Sequence, residues 1–258
     1  MTGLLSERQG PIYSITLNRA EKHNAFDDIL LAQLQIALDE AVACKHTRVI
    51  VLKANGRHFS AGADLAWMER MAQFSFDENL ADANILANVL YTLYQSPKPT
   101  IAMVQGAAFG GGAGLIAACD IAIAAVSARF CFSEVKLGLI PAVISPYVVK
   151  AIGERAATGL FMTAEAFDAQ RALDLKLIHH CVPDDELLTF TNQVVTALSQ
   201  NGPTAVPASK ALVRQVGSLP IDDALQAITA TLIAKQRAST EAQIGLHAFL
   251  NKETPRWS

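Results

Sequence analysis

Apolar residues fall into two alternating rhythms along this chain. Val49-Ile50-Val51-Leu52 and Thr100-Ile101-Ala102-Met103-Val104 are short, almost unbroken apolar runs, the pattern of strands buried on both faces. Phe26 to Ala43 instead carries Ile29, Leu30, Leu34, Leu38 and Val42 at helical spacing, with Asn24 placed as a cap. Asp77 to Tyr94 predicts a second long helix. It closes at Ser96-Pro97-Lys98-Pro99, because a proline steers the residue before it out of helical conformation. Pro11 to Leu17 predicts an earlier strand, Leu115 to Ala118 a short helix, and Asp120 to Ala124 and Ala128 to Phe132 two further strands, the last ending at Ser133-Glu134.

Beyond Ile140-Pro141 the rhythm becomes helical almost throughout, interrupted by the apolar piece Leu177 to Val182 and by a break at Gly202-Pro203. Strands alternating with helices predict an α/β fold. The expected division is a core over residues 1–195 and a helical region over 196–258, with no low-complexity linker between them.

Each of the two buried strands runs towards a glycine-centred turn: Phe59-Ser60-Ala61-Gly62-Ala63-Asp64-Leu65 and Gly106-Ala107-Ala108-Phe109-Gly110-Gly111-Gly112-Ala113-Gly114. Such turns are poor in reactive side chains but leave backbone N–H groups unshielded and able to bind an anion. Taken alone, Gly112-Ala113-Gly114-Leu115-Ile116-Ala117 satisfies the G-x-G-x-x-G/A dinucleotide fingerprint, with Glu134 twenty residues after Gly114. That fingerprint belongs in the first strand-to-helix turn of a nucleotide-binding unit, whereas here two strands and two long helices come first. Glycines that let a helix pack closely on a strand are the competing reading.

Composition narrows the chemistry. With 258 residues, 51% of them hydrophobic, the chain can bury a sizeable core. A formal net charge of −3, with both signs mixed along the sequence, offers no basic stripe for nucleic acid and no polybasic membrane patch. The start lacks the features of a signal or transit peptide, so a cytoplasmic location is expected. No run is long and apolar enough to predict a membrane span. Cys44, Cys119, Cys131 and Cys181 form no C-x-x-C pair and read as ordinary buried or half-buried thiols. The histidines His23, His46, His58, His179, His180 and His247 show no metal-binding spacing, and no metal is expected.

The two turns together, with Cys119-Asp120-Ile121, Phe132-Ser133-Glu134-Val135-Lys136-Leu137-Gly138-Leu139-Ile140-Pro141 and the ending Ala248-Phe249-Leu250-Asn251-Lys252, resemble the enoyl-CoA hydratase/isomerase (crotonase) family over essentially the whole chain. The resemblance implies a crotonase (ClpP/crotonase-like) fold, a spiral of repeated ββα units with a helical C-terminal region that mediates trimer formation, as a homotrimer or a homohexamer of paired trimers. It implies an acyl-CoA thioester as partner and no separate cofactor, since coenzyme A arrives as part of the substrate. The thioester oxygen would lie between the backbone N–H groups of Ala63 and Gly111, with Gly110 to Gly112 permitting the approach; a Cβ at Gly111 would intrude on the thioester. Preorganised donors of this kind hold an enolate-like oxygen more strongly than the ground state.

By the same resemblance, Ala61, Asp64 and Leu65 would line the adenine end of coenzyme A through backbone contacts, and Phe249 and Lys252 would reach the coenzyme A site of a neighbouring subunit. Phe249 also reads as a core residue of the last helix. Trp67, Met68 and Met71 either line an acyl pocket or form the buried face of a short helix. Glu134 matches one of the two glutamates of ordinary hydratases, and its place at the end of an apolar strand would raise its pKa. The position of the other glutamate is Gly114, and the space it leaves would admit a branched substrate or an extra water. Asp64 and Asp120 read as architectural.

The stretch Leu139-Ile140-Pro141-Ala142-Val143-Ile144-Ser145-Pro146-Tyr147-Val148, together with Gly114, looks most like the methylglutaconyl-CoA hydratase subgroup. This implies reversible hydration of 3-methylglutaconyl-CoA to 3-hydroxy-3-methylglutaryl-CoA in leucine breakdown. Arg57, Arg70 and Lys136 are the candidate cations for a distal carboxylate. A general enoyl-CoA hydratase, a double-bond isomerase using Glu134 alone, and a non-catalytic CoA-thioester-binding protein are the alternatives.

Overall fold

The computed structural model describes residues 3–257. An edge hairpin opens the fold: β1 (Leu4–Gln9) pairs antiparallel with β2 (Ile12–Leu17), turning at Gly10, whose φ of +57° suits a residue without a Cβ. β1 carries no apolar rhythm because nearly all of it faces solvent. Two strands of the inner sheet follow, β3 (Val49–Ala54) and β4 (Thr100–Val104), with β6 (Ile121–Ala125) and β9 (His180–Val182) beyond them, in the order β1-β2-β3-β4-β6-β9. Every pairing of this sheet after the hairpin is parallel.

Burial on both faces explains the unbroken apolar runs. Ile50, Leu52, Ala102 and Val104 face the main core, while Val49, Val51 and Ile101 face a second cluster capped by Leu187 and Val195 of α7 (Leu187–Gln200). A small second sheet, in the order β5-β7-β8, is made of β5 (Ala107–Phe109), β7 (Arg129–Cys131) and β8 (Phe167–Asp168). Each passage of the chain therefore gives one strand to the large sheet and one to the small sheet: β4 then β5, β6 then β7, with helices α4 (Gly111–Ala118) and α5 (Ser145–Thr163) after them. That alternation is the repeated ββα unit of the expected spiral.

The first helix, α1 (Asp28–Ala43), is capped by Asp27, whose carboxylate accepts from Leu30 N at 2.8 Å, and not by Asn24. Asn24 is buried and works as a cross-link, donating to Asn55 O and His58 O at 2.8 and 2.7 Å. Leu30, Leu31, Leu34, Leu38 and Ala41 form the inner face of α1, and Ile29 points outward, 63% exposed. α2 (Leu65–Met71) is short. α3 (Phe76–Gln95) starts at a capping box in which Ser75 and Glu78 satisfy each other's backbone N–H groups. α6 (Ala169–Asp174) links β8 to β9.

The C-terminal helices are α8 (Ala205–Val216), α9 (Asp223–Arg237) and α10 (Thr240–Leu250). The expected boundary between residues 195 and 196 falls inside α7. Lys210 of α8 ties the helical region to the core, its Nζ lying 2.6 Å from Asp120 Oδ2. The same carboxylate oxygen accepts from Thr100 N and Oγ1 at 2.9 and 3.0 Å, which gives Asp120 the architectural part expected of it. No helix among the described residues is long and apolar enough to cross a membrane.

Candidate active site

The two glycine turns are sewn to one another. Ser60 and Ala108 form an isolated parallel bridge in which Ser60 N donates to Ala107 O and Phe109 N donates to Ser60 O, at 2.9 and 3.0 Å. Close approach is possible because Gly112 lacks a side chain: a Cβ there would stand 2.9 Å from Ser60 Cβ and 3.2 Å from Ser60 O. Within the first turn, Ser60 Oγ donates to Asn24 O at 2.9 Å and accepts from Gly62 N at 3.2 Å, and Gly62 sits at φ +99°.

Phe26 clamps the first turn from the other side. Its N–H donates to Gly62 O and its carbonyl accepts from Asp64 N, both at 2.7 Å, so the bridge is made to the groups flanking Ala63. In a parallel bridge the middle residue's own N–H points away from the partner strand. Ala63 N is accordingly left without a hydrogen-bond partner among the described residues, and so is Gly111 N at the first turn of α4. A Cβ on Gly111 would meet Phe26 Cε2 at 3.1 Å and Leu86 Cδ2 at 3.5 Å. The glycine therefore makes room for protein side chains, where the sequence had pointed to room for a thioester.

The carboxylate comes from the other sheet. Gly110 N donates to Cys131 O at 2.9 Å, joining the second turn to the end of β7. Three residues on, Glu134 opens a 3-10 turn (Glu134–Leu137) closed by Gly138 at φ +72°, so it does not lie at a strand end as expected. Between them, past the end of β7, Phe132 is buried in the core, where its ring meets Phe161 and Phe167. A Cβ on Gly110, at φ +50°, would lie 3.2 Å from Glu134 Oε1. Glu134 Oε2 is buried with no hydrogen-bond partner among the described residues, and burial pushes the carboxyl above the usual carboxylate range.

Gly112 and Gly114 lie inside α4 and not in the loop before it, which removes the geometry the dinucleotide fingerprint needs. Gly114 leaves no open space either. A Cβ there would fall 2.2 Å from Ile144 Cγ2 and 2.8 Å from Ile144 Cβ, so the isoleucine fills the volume expected to be free.

The remaining predicted residues fall in several places. Ala61 is exposed, and its N–H donates to His23 O at 3.0 Å. Asp64 is buried; it caps α2 by accepting from Ala66 N and Trp67 N, and it pairs with Lys22 at 2.8 Å and Arg19 at 3.4 Å. The Lys22 ammonium and these N–H groups hold its carboxyl below the ordinary range despite burial. Leu65, which begins α2, is 77% exposed. Trp67 is in the core with its Nε1 donating to Asp82 at 2.9 Å, and Met68 and Met71 are half-buried, in keeping with the buried face of a short helix. Phe249 is 79% exposed on α10, so it is not a core residue of its own chain, and Lys252 follows the helix. Of the candidate cations, Arg70 is paired with Asp28 at 2.6 Å, while Arg57 and Lys136 are exposed.

Sequence reasoning missed Ser60, Phe26 and Ile144 as builders of this site. His58 is another: its Nδ1 accepts from Ala107 N at 3.0 Å, holding the strand that enters the second turn. Ser60 alone could have been suspected, since it lies within the first turn; Phe26 and Ile144 reach the site from distant parts of the chain.

Similarity to known proteins agrees with this geometry. The family model described as enoyl-CoA hydratase/isomerase matches residues 7–258. A crystal structure from Legionella pneumophila assigned to the enoyl-CoA hydratase/isomerase (crotonase) class is 62% identical, covers 100% of both chains and superposes with a TM-score of 0.98. An enoyl-CoA hydratase structure from Shewanella pealeana is 46% identical over 99% of this chain and 96% of its own, with a TM-score of 0.95. The 2,3-dehydroadipyl-CoA hydratase of Escherichia coli K12 is 31% identical over 99% of this chain and 98% of its own. With the paired glycine turns and these relatives in view, the chain is an enzyme of the crotonase fold and belongs to the enoyl-CoA hydratase/isomerase family.

Proposed function

We propose that this enzyme hydrates a branched 2-enoyl-CoA, with 3-methylglutaconyl-CoA as the substrate and 3-hydroxy-3-methylglutaryl-CoA as the product, in leucine catabolism. The observation that carries the reading is Glu134: a buried carboxyl with an unpartnered oxygen, set against the turn that presents the free N–H of Gly111. Ala63 N and Gly111 N hold the thioester oxygen. Glu134 takes a proton from water as the water oxygen bonds to C3, the electron pair of the C2–C3 double bond moves towards the thioester, and the two N–H groups stabilise the charge that builds there. The same carboxyl then returns the proton to C2. A base with a raised pKa suits both halves of this exchange near neutral pH.

Ala61, Asp64 and Leu65 line the coenzyme A end, and the outward-facing Phe249, with Lys252, serves the site of a neighbouring subunit in a trimer or hexamer. The Escherichia coli relative is named for a substrate that is also the thioester of a diacid, which supports a distal carboxylate on the acyl group. Arg57 and Lys136 are the cations for it, since Arg70 is already paired. A second reading, double-bond isomerisation, is favoured by the single carboxyl at the second glycine turn, because one base can remove and return a proton. Steady-state assays on 3-methylglutaconyl-CoA, crotonyl-CoA and a 3-enoyl-CoA separate the two. Hydration of the first supports the proposal; no hydration of it, with turnover of the third, overturns it in favour of the isomerase.

A further inference from the structure

Gly110 caps α4 and Gly114 lies in its first turn, the two joined by the hydrogen bond that Gly114 N donates to Gly110 O at 3.1 Å. Each lacks a side chain where something else intrudes. Glu134 Oε1 comes to 3.2 Å from a Cβ on Gly110, and Ile144 Cγ2 to 2.2 Å from a Cβ on Gly114. The carboxyl and the isoleucine therefore approach the two ends of one hydrogen-bonded turn. Ile144 is 2% exposed and held in place by its position at the start of α5, where its carbonyl accepts from Tyr147 N and Val148 N, both at 3.1 Å. Its own side chain is β-branched and has little rotamer freedom with which to swing aside.

We propose that Ile144 is a specificity-determining residue, a plug that fills the space beside Gly114 and so sets how long an acyl chain fits alongside Glu134. The inference rests on the acyl-CoA reading of the site. Without Ile144, the bare flank of Gly114 would leave an apolar cavity next to the reacting carbons. Enclosed apolar cavities stay dry and accept hydrocarbon, and each methylene buried is worth about fourfold in affinity. The plug thus favours short acyl groups, including short branched ones, over long linear ones.

The test is calorimetric binding of the non-reacting thioesters butanoyl-, hexanoyl- and octanoyl-CoA to the wild-type enzyme, Ile144→Ala and Ile144→Val. The octanoyl-to-butanoyl affinity ratio should rise about tenfold in Ile144→Ala and about threefold in Ile144→Val, the latter keeping the reading available if the alanine variant does not fold. An unchanged ratio in variants that still bind butanoyl-CoA overturns the proposal while leaving the acyl-CoA reading intact. A wild-type enzyme that binds none of the three thioesters overturns both.

Discussion

Glu134 and Gly110 meet so closely that no side chain fits between them: Oε1 stands 3.2 Å from the point a Cβ on the glycine would occupy. The carboxyl is thereby held against the turn whose next residue, Gly111, offers an unpaired N–H. Burial raises its pKa, so ionising it costs stability in the folded state. For a carboxyl raised in this way, the stabilising contribution is complete below the unfolded value of about 4.3 and is lost as pH rises through the folded value. Glu134→Gln should therefore have a higher Tm than the wild type at pH 8 and a similar Tm at pH 4. Calorimetric melts across that range check the sign.

A Cβ at position 112 would press on Ser60, including its backbone oxygen at 3.2 Å. Gly112→Ala should push the two turns apart and misplace the paired donors, lowering kcat/KM by about 10² to 10³, the effect of losing one oxyanion donor. The accompanying overpacking should cost about 1–3 kcal/mol in stability, measured by urea unfolding.

Gly114→Ala should be destabilising by a comparable amount, because the new methyl would overlap Ile144. Truncating the isoleucine in the same chain should recover part of that loss. A double-mutant cycle by urea unfolding should show strong coupling between the two positions.

Much of this architecture was legible in the apolar pattern. Val49 to Leu52 and Thr100 to Val104 are buried on both faces, as their unbroken runs required. β1 gave no signal because an edge strand facing water needs no apolar residues, and the three-residue β5 hid inside the glycine turn. In the site, the glycines themselves stood out, but what they make room for did not. Gly111 admits Phe26 and Leu86, Gly112 admits Ser60, and Gly114 admits Ile144, contacts between segments far apart in sequence that only the folded chain brings together. Asn24 read as a helix cap for the same reason: the distant carbonyls of Asn55 and His58 that it bonds cannot be seen from local spacing.

His58 should make the second turn sensitive to acid. Its Nδ1 accepts from Ala107 N, which requires the neutral ring, and burial lowers its pKa, aided by His23 and Arg57. For a histidine lowered in this way, the contribution to stability is present above the usual value of about 6.5 and is lost as pH falls through the lowered value. Melting temperatures should drop over that interval, and His58→Asn, which keeps an acceptor without the titration, should flatten the drop.

Lys210 anchors α8 through Asp120, with the two side chains only 12% and 23% exposed. Lys210→Met would leave the carboxylate without its nearest cation, at a cost of about 3 kcal/mol in urea unfolding. The same substitution should loosen the helical region first, seen as faster hydrogen exchange in α8 than in the strands of the large sheet.

The central claim is that Glu134, beside the paired N–H groups of Ala63 and Gly111, carries the proton transfers. Glu134→Gln, with a fold confirmed by its melting curve, is the most direct measurement. Hydration of 3-methylglutaconyl-CoA should fall by at least about 10²-fold in kcat with little change in affinity for the thioester. A glutamine variant that turns the substrate over at the wild-type rate would contradict the account.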